Sequence, residues 1–299
     1  MSARISTADD HRLPYVAQAF GLRWASDHPL DQFAPAAEPG RHDVEVRRVK
    51  ALSDRPGGVV VNNGRVFADG ARFRFGDTVF DTFGENQVDW CGPSTGKAPF
   101  ALYGTVAAII LSWRGLAPLH GSAVAVGDQT VLVVGPPGAG KSTLCHALVQ
   151  RGGRLVSDDL TALMPMTQPG VPMLQPGRPA IRLAAGQGDA GADKVLHMAP
   201  LVDPCRPVPL TAMVMLREQP HRPGLAEASE ALRRQLFRPQ WMRVLPFKRE
   251  RSVTLLHAAP RISMFTAPRA SDHPEIPVEE KAEMVLDRLR EFDMARAAP

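Results

Sequence analysis

The stretch Gly135-Pro-Pro-Gly-Ala-Gly-Lys-Ser-Thr143 constrains the fold more than any other part of the chain, because such a loop works only between a strand and a helix. Gly135, Gly140, Lys141 and Ser142 fit the spacing G-x-x-x-x-G-K-[ST]. In that pattern backbone N–H groups wrap the phosphates, the lysine reaches the β- and γ-phosphates, and the hydroxyl ligates Mg²⁺. Residues 130–134 read as a short buried strand, and residues 142–151 as a helix with Leu144 and Leu148 on one face. Gly152 and Gly153 tolerate the positive φ that ends a helix. Arg154-Leu-Val-Ser-Asp-Asp159 then reads as a second strand with two carboxylates at its carboxyl end, the edge where ligands sit in open α/β sheets. Gly135, Pro136, Pro137, Gly138, Ala139, Gly140, Lys141, Ser142 and Thr143 are therefore expected to hold a nucleotide triphosphate.

Phosphoryl transfer to a hydroxyl needs a cradled nucleotide, a metal ion to spread charge, and a carboxylate to accept the hydroxyl proton. Asp158 and Asp159 can supply the last two. Alternation along a strand would point them in opposite directions, so either they sit in a bend just after the strand or only one faces the phosphates. His120, upstream of Gly121, can place an imidazole beside the γ-phosphate or the catalytic carboxylate.

The remainder of the chain divides by texture. Residues 1–40 mix charge, proline and aromatics as short elements and loops. From residue 44 to 90, Asn62-Asn63-Gly64, Asp69-Gly70 and the alternation after Arg72 read as antiparallel strands with tight turns. The apolar run 100–113 lies between Lys97 and Arg114 and is too short for a membrane span of roughly 20 residues, so it reads as a buried helix over about 98–116. Residues 119–126 read as one strand leading into the loop strand. Nine prolines between 165 and 209 exclude long helices there, with short strands expected at 180–183 and 209–216. Helices are expected at 227–238 and 278–292. The resulting division is a β-rich region over 1–97 and an α/β phosphate-loop domain over 98–299.

Bulk numbers add exclusions. A net charge of +4 over 299 residues makes no case for nucleic acid, and three widely spaced cysteines suggest neither a zinc site nor a disulfide framework. Asp9, Asp10 and His11 stand where an export signal would be basic and then apolar, so a cytoplasmic protein without a membrane partner is expected. The segment from Arg233 to Arg251 interleaves basic residues with Phe237, Trp241 and Phe247. It reads either as a clamp for an acidic peptide or as an amphipathic helix with its aromatic side inward.

Leu119-His-Gly-Ser-Ala-Val124, the phosphate loop, and Arg151-Gly-Gly-Arg-Leu-Val-Ser-Asp-Asp159 together resemble the catalytic domain of the bacterial HPr serine kinase/phosphorylase family. The match spans about 40 residues in order and spacing. It implies an ATP- and Mg²⁺-dependent serine kinase working on a peptide or small protein as a homo-oligomer. The resemblance casts Asp158 as proton acceptor with Asp159 as metal partner beside Ser142, or the reverse, with Lys141 and His120 assisting. The family's Glu-Ile-Arg-Gly-Leu-Gly segment is echoed only by Ala180-Ile-Arg-Leu-Ala184, which lacks the Mg²⁺-binding glutamate, so dephosphorylation is not expected. Arg182 and Lys194 remain candidates for substrate contact. The layout is also similar to the divergent branch that includes lasso-peptide tailoring kinases. Two other readings stay open: a small-molecule kinase with a sugar or amino-acid acceptor, and a nucleotide-binding regulatory protein without transfer.

Overall fold

The computed structural model describes residues 13–36, 40–184, 194–219, 221 and 223–297. Asp9, Asp10 and His11, on which the expectation about export rests, lie outside the described residues. No helix among the described residues is long and apolar enough to cross a membrane.

The amino-terminal strands form one nine-stranded sheet. They are β1 (Tyr15–Ala19), β2 (Leu22–Ser26), β3 (Ala34–Pro35), β4 (Val44–Arg48), β5 (Val59–Val61), β6 (Gly64–Phe67), β7 (Gly70–Phe75), β8 (Thr78–Phe83) and β9 (Gln87–Cys91), in the order β3-β1-β2-β4-β9-β8-β7-β6-β5. The tight turns predicted from Asn63-Gly64 and Asp69-Gly70 connect an antiparallel run from β5 to β9. Two central pairings differ from expectation, since β4 runs parallel to both β2 and β9. Local turn chemistry fixes hairpins, whereas these parallel contacts join strands that no single turn connects.

The predicted apolar helix is interrupted. A 3₁₀ turn at Phe100–Tyr103 gives way at Gly104 to α1 (Thr105–Trp113), and every α1 residue except Trp113 is buried. Residues 119–126 are likewise two strands, not one: β10 (Ala117–His120) and β11 (Ser122–Val126) belong to different sheets and are separated at Gly121. A Cβ at Gly121 would lie 2.9 Å from the Leu132 side chain, so the chain crosses between sheets at a point where only a glycine avoids that contact.

The phosphate-loop sheet has the order β13-β11-β12-β19-β20, built from β12 (Gln129–Val134), β13 (Arg154–Ser157), β19 (Ala212–Arg217) and β20 (Ser263–Pro268) around β11. β12, β19 and β20 are parallel, while β11 is antiparallel to both neighbours. β12 is buried along its whole length, as its run of β-branched residues predicts. Because β11 reverses direction between β12 and β13, the carboxyl ends of those two strands lie at the same edge. A four-stranded sheet, β10-β14-β15-β18, uses β14 (Leu160–Leu163), β15 (Met173–Gln175) and β18 (Val208–Pro209), and β16 (Ala180–Ala184) pairs with β17 (Lys194–Met198).

Helices cover both faces of the phosphate-loop sheet. One face packs Leu144 and Leu148 of α2 (Lys141–Gln150) with Ala282, Val285 and Leu289 of α6 (Val278–Ala297). The other packs α3 (Leu225–Arg234) and α5 (Lys248–Ala258) against Leu132, Val134 and Met213. A third apolar cluster joins the nine-stranded sheet, α1, and Phe237, Trp241 and Met242 around α4 (Pro239–Met242). The basic segment thus turns its aromatics Phe237 and Trp241 inward. Arg251 is buried as well, donating to the carbonyls of Met242, Leu245, Pro246 and Ser112, which satisfies a guanidinium that burial pushes down to about 10.

Candidate active site

The phosphate loop is shaped by two glycines in the left-handed region, Gly138 at φ 78° and Gly140 at φ 91°. Gly140 is the residue before α2, and a side chain there would be strained. The loop therefore ends on the backbone N–H groups of a helix N-terminus, where a phosphate is favoured by both hydrogen bonding and the helix dipole. Lys141 is buried, and its Nζ donates to the carbonyls of Gly135 and Pro136 at 3.0 and 3.1 Å, so its ammonium is held over the loop. Ser142 sits one turn position on, with its hydroxyl directed across to the next strand.

Asp158 and Asp159 occupy the bend between β13 and β14, the first of the two arrangements open from sequence. Asp159 has φ 70°, a conformation that aspartate tolerates better than most residues. β13 pairs with β11, whereas β14 pairs with β10, so the bend is also the crossing point between two sheets. Gly121 is the equivalent crossing point between β10 and β11. The two crossings lie side by side, tied by Thr161 Oγ1 donating to the Gly121 carbonyl at 2.9 Å. This doubled crossing sets residue against residue: Ser122 beside Asp158, and His120 beside Asp159.

The two carboxylates consequently have different surroundings. Asp158 is 1% exposed; its Oδ1 accepts from Ser122 Oγ at 2.6 Å and Ser142 Oγ at 2.8 Å, and its Oδ2 from the Arg182 backbone N–H at 3.0 Å. Asp159 is partly open, with its Oδ1 3.4 Å from His120 Nδ1. Burial lowers the His120 pKa from its usual value and Lys141 adds to that, while Asp159 and Asp158 oppose it. The imidazole is thereby biased toward its neutral form.

Arg182 reaches the site through its backbone; its guanidinium stacks 4.2 Å from the Phe100 ring centroid. Lys194 begins β17, in register with Ala184, at the far end of the strand pair from Ala180 and Met198. Ala180 is fully buried in that pair.

Two residues of the site were not singled out from sequence. Ser122 lies inside the Leu119-His-Gly-Ser run, but a hydroxyl there has no spacing that ties it to an acid 36 residues on. Arg178 follows Gly177, whose backbone N–H bonds to the Val156 carbonyl beside the Asp158 bend. It is 2% exposed, and among the described residues only Nη1 has a hydrogen-bond partner, Gln32 Oε1 at 3.0 Å, while Nε and Nη2 have none. Burial pushes the Arg178 guanidinium below its ordinary value, and the Asp158 and Asp159 carboxylates act against that shift. A buried cation beside two carboxylates compensates charge that water cannot reach.

In front of the loop lies a cavity of about 820 Å³, walled by Gly135 and Pro136 of the loop, His120, the end of β19, α3, and Arg238. The donor set suits the groups that such a site would hold. A hydroxyl and a carboxylate 2.8 Å apart are hard oxygen ligands, and Mg²⁺ needs only one or two of these, taking the rest from water and phosphate.

No family model matches the sequence, and no curated protein matches it. Among solved structures the chain is similar to the Hpr(Ser) kinase/phosphatase from Coxiella burnetii, with a TM-score of 0.35 and 15% identity over 60% of this chain and 98% of that one. At that level the likeness has no weight for the chemistry, which rests on the residues above.

Proposed function

We propose that the protein is an ATP-dependent kinase that transfers the γ-phosphoryl group to a hydroxyl, with a serine of a peptide or small protein as acceptor. The reading is carried by one observation: of two adjacent acids, one is bonded to the phosphate-loop serine and the other faces a histidine at the cavity wall. Gly135 to Thr143 hold the triphosphate, and Lys141 neutralises charge on the group in flight. Ser142 and Asp158 hold Mg²⁺, which when bound spreads the charge of the β- and γ-phosphates.

The buried bonding of Asp158 favours the second of the two role assignments left open by the sequence. Asp158 is committed to Ser122, Ser142 and the Arg182 N–H, whereas Asp159 is partly exposed and faces His120, which lines the cavity. In the transfer, the acceptor oxygen bonds to the γ-phosphorus as the bond to the β,γ-bridging oxygen breaks. The hydroxyl proton passes to the Asp159 carboxylate. His120, kept neutral by burial, orients that carboxylate. Ser122 and the Arg182 N–H hold Asp158 in place, and the charge of Arg178 offsets that of the carboxylates.

The test is phosphate transfer from labelled ATP with Mg²⁺ to serine peptides, sugars and free amino acids. The wild-type protein is expected to label a peptide, and Asp159→Asn to slow transfer by roughly 10²–10⁴-fold, the usual worth of a general base. Transfer at the wild-type rate by Asp159→Asn would remove that residue from the base role. Tight ATP binding with no transfer to any acceptor would make the protein a nucleotide-binding regulator instead.

A further inference from the structure

The cavity in front of the phosphate loop has four arginines in its wall, and three of them are already neutralised. Arg217 pairs with Glu227 at 2.8 Å, Arg234 with Glu230 at 2.8 Å, and Arg269 with Asp272. Arg238 is the exception. Its Nε donates to Thr105 Oγ1 at 2.9 Å, and no described carboxylate lies within ion-pair distance of it.

Arg238 is also held where it is at some expense. It has φ 46° and ψ 70°, a left-handed conformation costly for any side-chain-bearing residue, and it directly precedes Pro239, which opens α4. Both sides of it are anchored. Upstream, Leu236 bridges to Leu119, the Phe237 N–H bonds to the Pro118 carbonyl at 2.8 Å, and the Phe237 ring lies 6.0 Å from the His120 ring. Downstream, the Trp241 N–H bonds to the Arg238 carbonyl at 2.9 Å, and Trp241 is buried against Phe73. Strain that survives because its surroundings enforce it points to a use for the side chain so placed. The Thr105 bond to Nε leaves the two terminal nitrogens as a fork on a residue that lines the cavity together with His120, and a fork is the shape that binds a carboxylate by two parallel hydrogen bonds.

We propose that Arg238 is an anion clamp for the acceptor: it binds a carboxylate that the substrate carries next to the hydroxyl receiving the phosphoryl group, so that acidic peptides are the preferred substrates. The assignment rests on the kinase reading for the hydroxyl, but the carboxylate contact is a binding event that is measured apart from transfer. The nucleotide's own charge is met elsewhere, by Lys141 and the N-terminus of α2. Arg238 lines the same cavity as His120.

The experiment uses the full chain with Mg²⁺ and a non-hydrolysable ATP analogue, titrated calorimetrically with three synthetic peptides. One has a glutamate beside a single serine and blocked ends; one ends in serine with a free carboxylate; the third is blocked and carries glutamine in place of the glutamate. The wild-type protein is expected to bind at least one carboxylate peptide about tenfold more tightly than the glutamine peptide, as one charge-assisted bidentate contact allows. Which carboxylate peptide wins identifies a side chain or a chain end as the source. Arg238→Gln should erase the preference, and Arg238→Lys should keep part of it, which separates lost charge from a misfolded loop. Equal wild-type binding of all three peptides, or a preference that persists in Arg238→Gln, overturns the clamp. Labelled ATP supplied to the same peptides then reports on the kinase reading separately. A carboxylate preference without transfer leaves the clamp standing and removes the kinase; transfer without preference does the reverse.

Discussion

Asp158→Asn and Asp158→Ala should part company in stability while agreeing in activity. The carboxylate is 1% exposed and accepts three hydrogen bonds, two from serine hydroxyls and one from the Arg182 N–H. An asparagine can keep all three contacts: its oxygen faces the Arg182 N–H, and its amide donates to Ser122 and Ser142, whose hydroxyls rotate to accept. What Asn loses is the charge that strengthens those bonds and faces Arg178, a cost of about 1–2 kcal/mol. Alanine instead orphans the Arg182 N–H and leaves the buried Arg178 with less countercharge, which places it at about 3–5 kcal/mol. With roughly 2 °C of melting temperature per kcal/mol for a chain of this size, the alanine variant should melt about 5 °C below the asparagine variant. Thermal unfolding followed by circular dichroism without nucleotide reads this difference. Both variants should also lose the stabilisation that Mg²⁺ and ATP give the wild type by mass action. Equal melting temperatures for the two variants would refute the hydrogen-bond account of Asp158, and full Mg²⁺-ATP stabilisation of Asp158→Asn would remove it from the metal site.

Two further predictions probe the neighbourhood. A Cβ at Gly177 would lie 2.1 Å from Ser157 Oγ and 2.8 Å from Phe20, so Gly177→Ala should cost about 1–3 kcal/mol by overpacking and slow turnover by displacing the residue before Asp158; an unchanged melting temperature would show that the segment yields freely. The His120 pKa is lowered by burial, so as pH falls below the usual histidine value of 6.5 the unfolded chain takes up the proton first and the folded state loses stability. His120→Asn should flatten that decline in chemical denaturation midpoints measured between neutral and mildly acidic pH, with His146→Asn as a comparison because His146 is shifted the same way by burial and by His197; a decline as steep as in the wild type would sink the assignment.

Much of the local structure was legible because each signal acts over a few residues. The buried strand, the loop and the helix after it appear where the glycines and the β-branched run put them, and β16, β19, α3 and α6 match the expected segments to within a few residues. Errors arose where one texture covers two elements. Residues 119–126 are mostly small or apolar apart from His120 and Ser122, yet break at Gly121 between sheets, and the apolar run of α1 breaks at Gly104. Periodicity cannot report such breaks, because both halves are buried and no polar face interrupts them. The parallel pairing of β4 was hidden for a similar reason, since it depends on which distant strand supplies the neighbouring edge.

By itself the sequence picked out a phosphate-loop pattern between a strand and a helix, flanked by a histidine and two adjacent acids. Those are properties of short segments, where spacing along the chain equals spacing in space. Only the tertiary structure gave the two acids different surroundings. The two crossings between sheets, at Gly121 and at Asp158 and Asp159, lie side by side and seat one acid on Ser122 and Ser142 and the other on His120. It also brought Arg178 within electrostatic reach of the acids and left Arg238 at the cavity wall without a carboxylate partner among the described residues, from segments far away in the chain. Burial and charge compensation are set by everything that packs around a residue, and no window of sequence contains that.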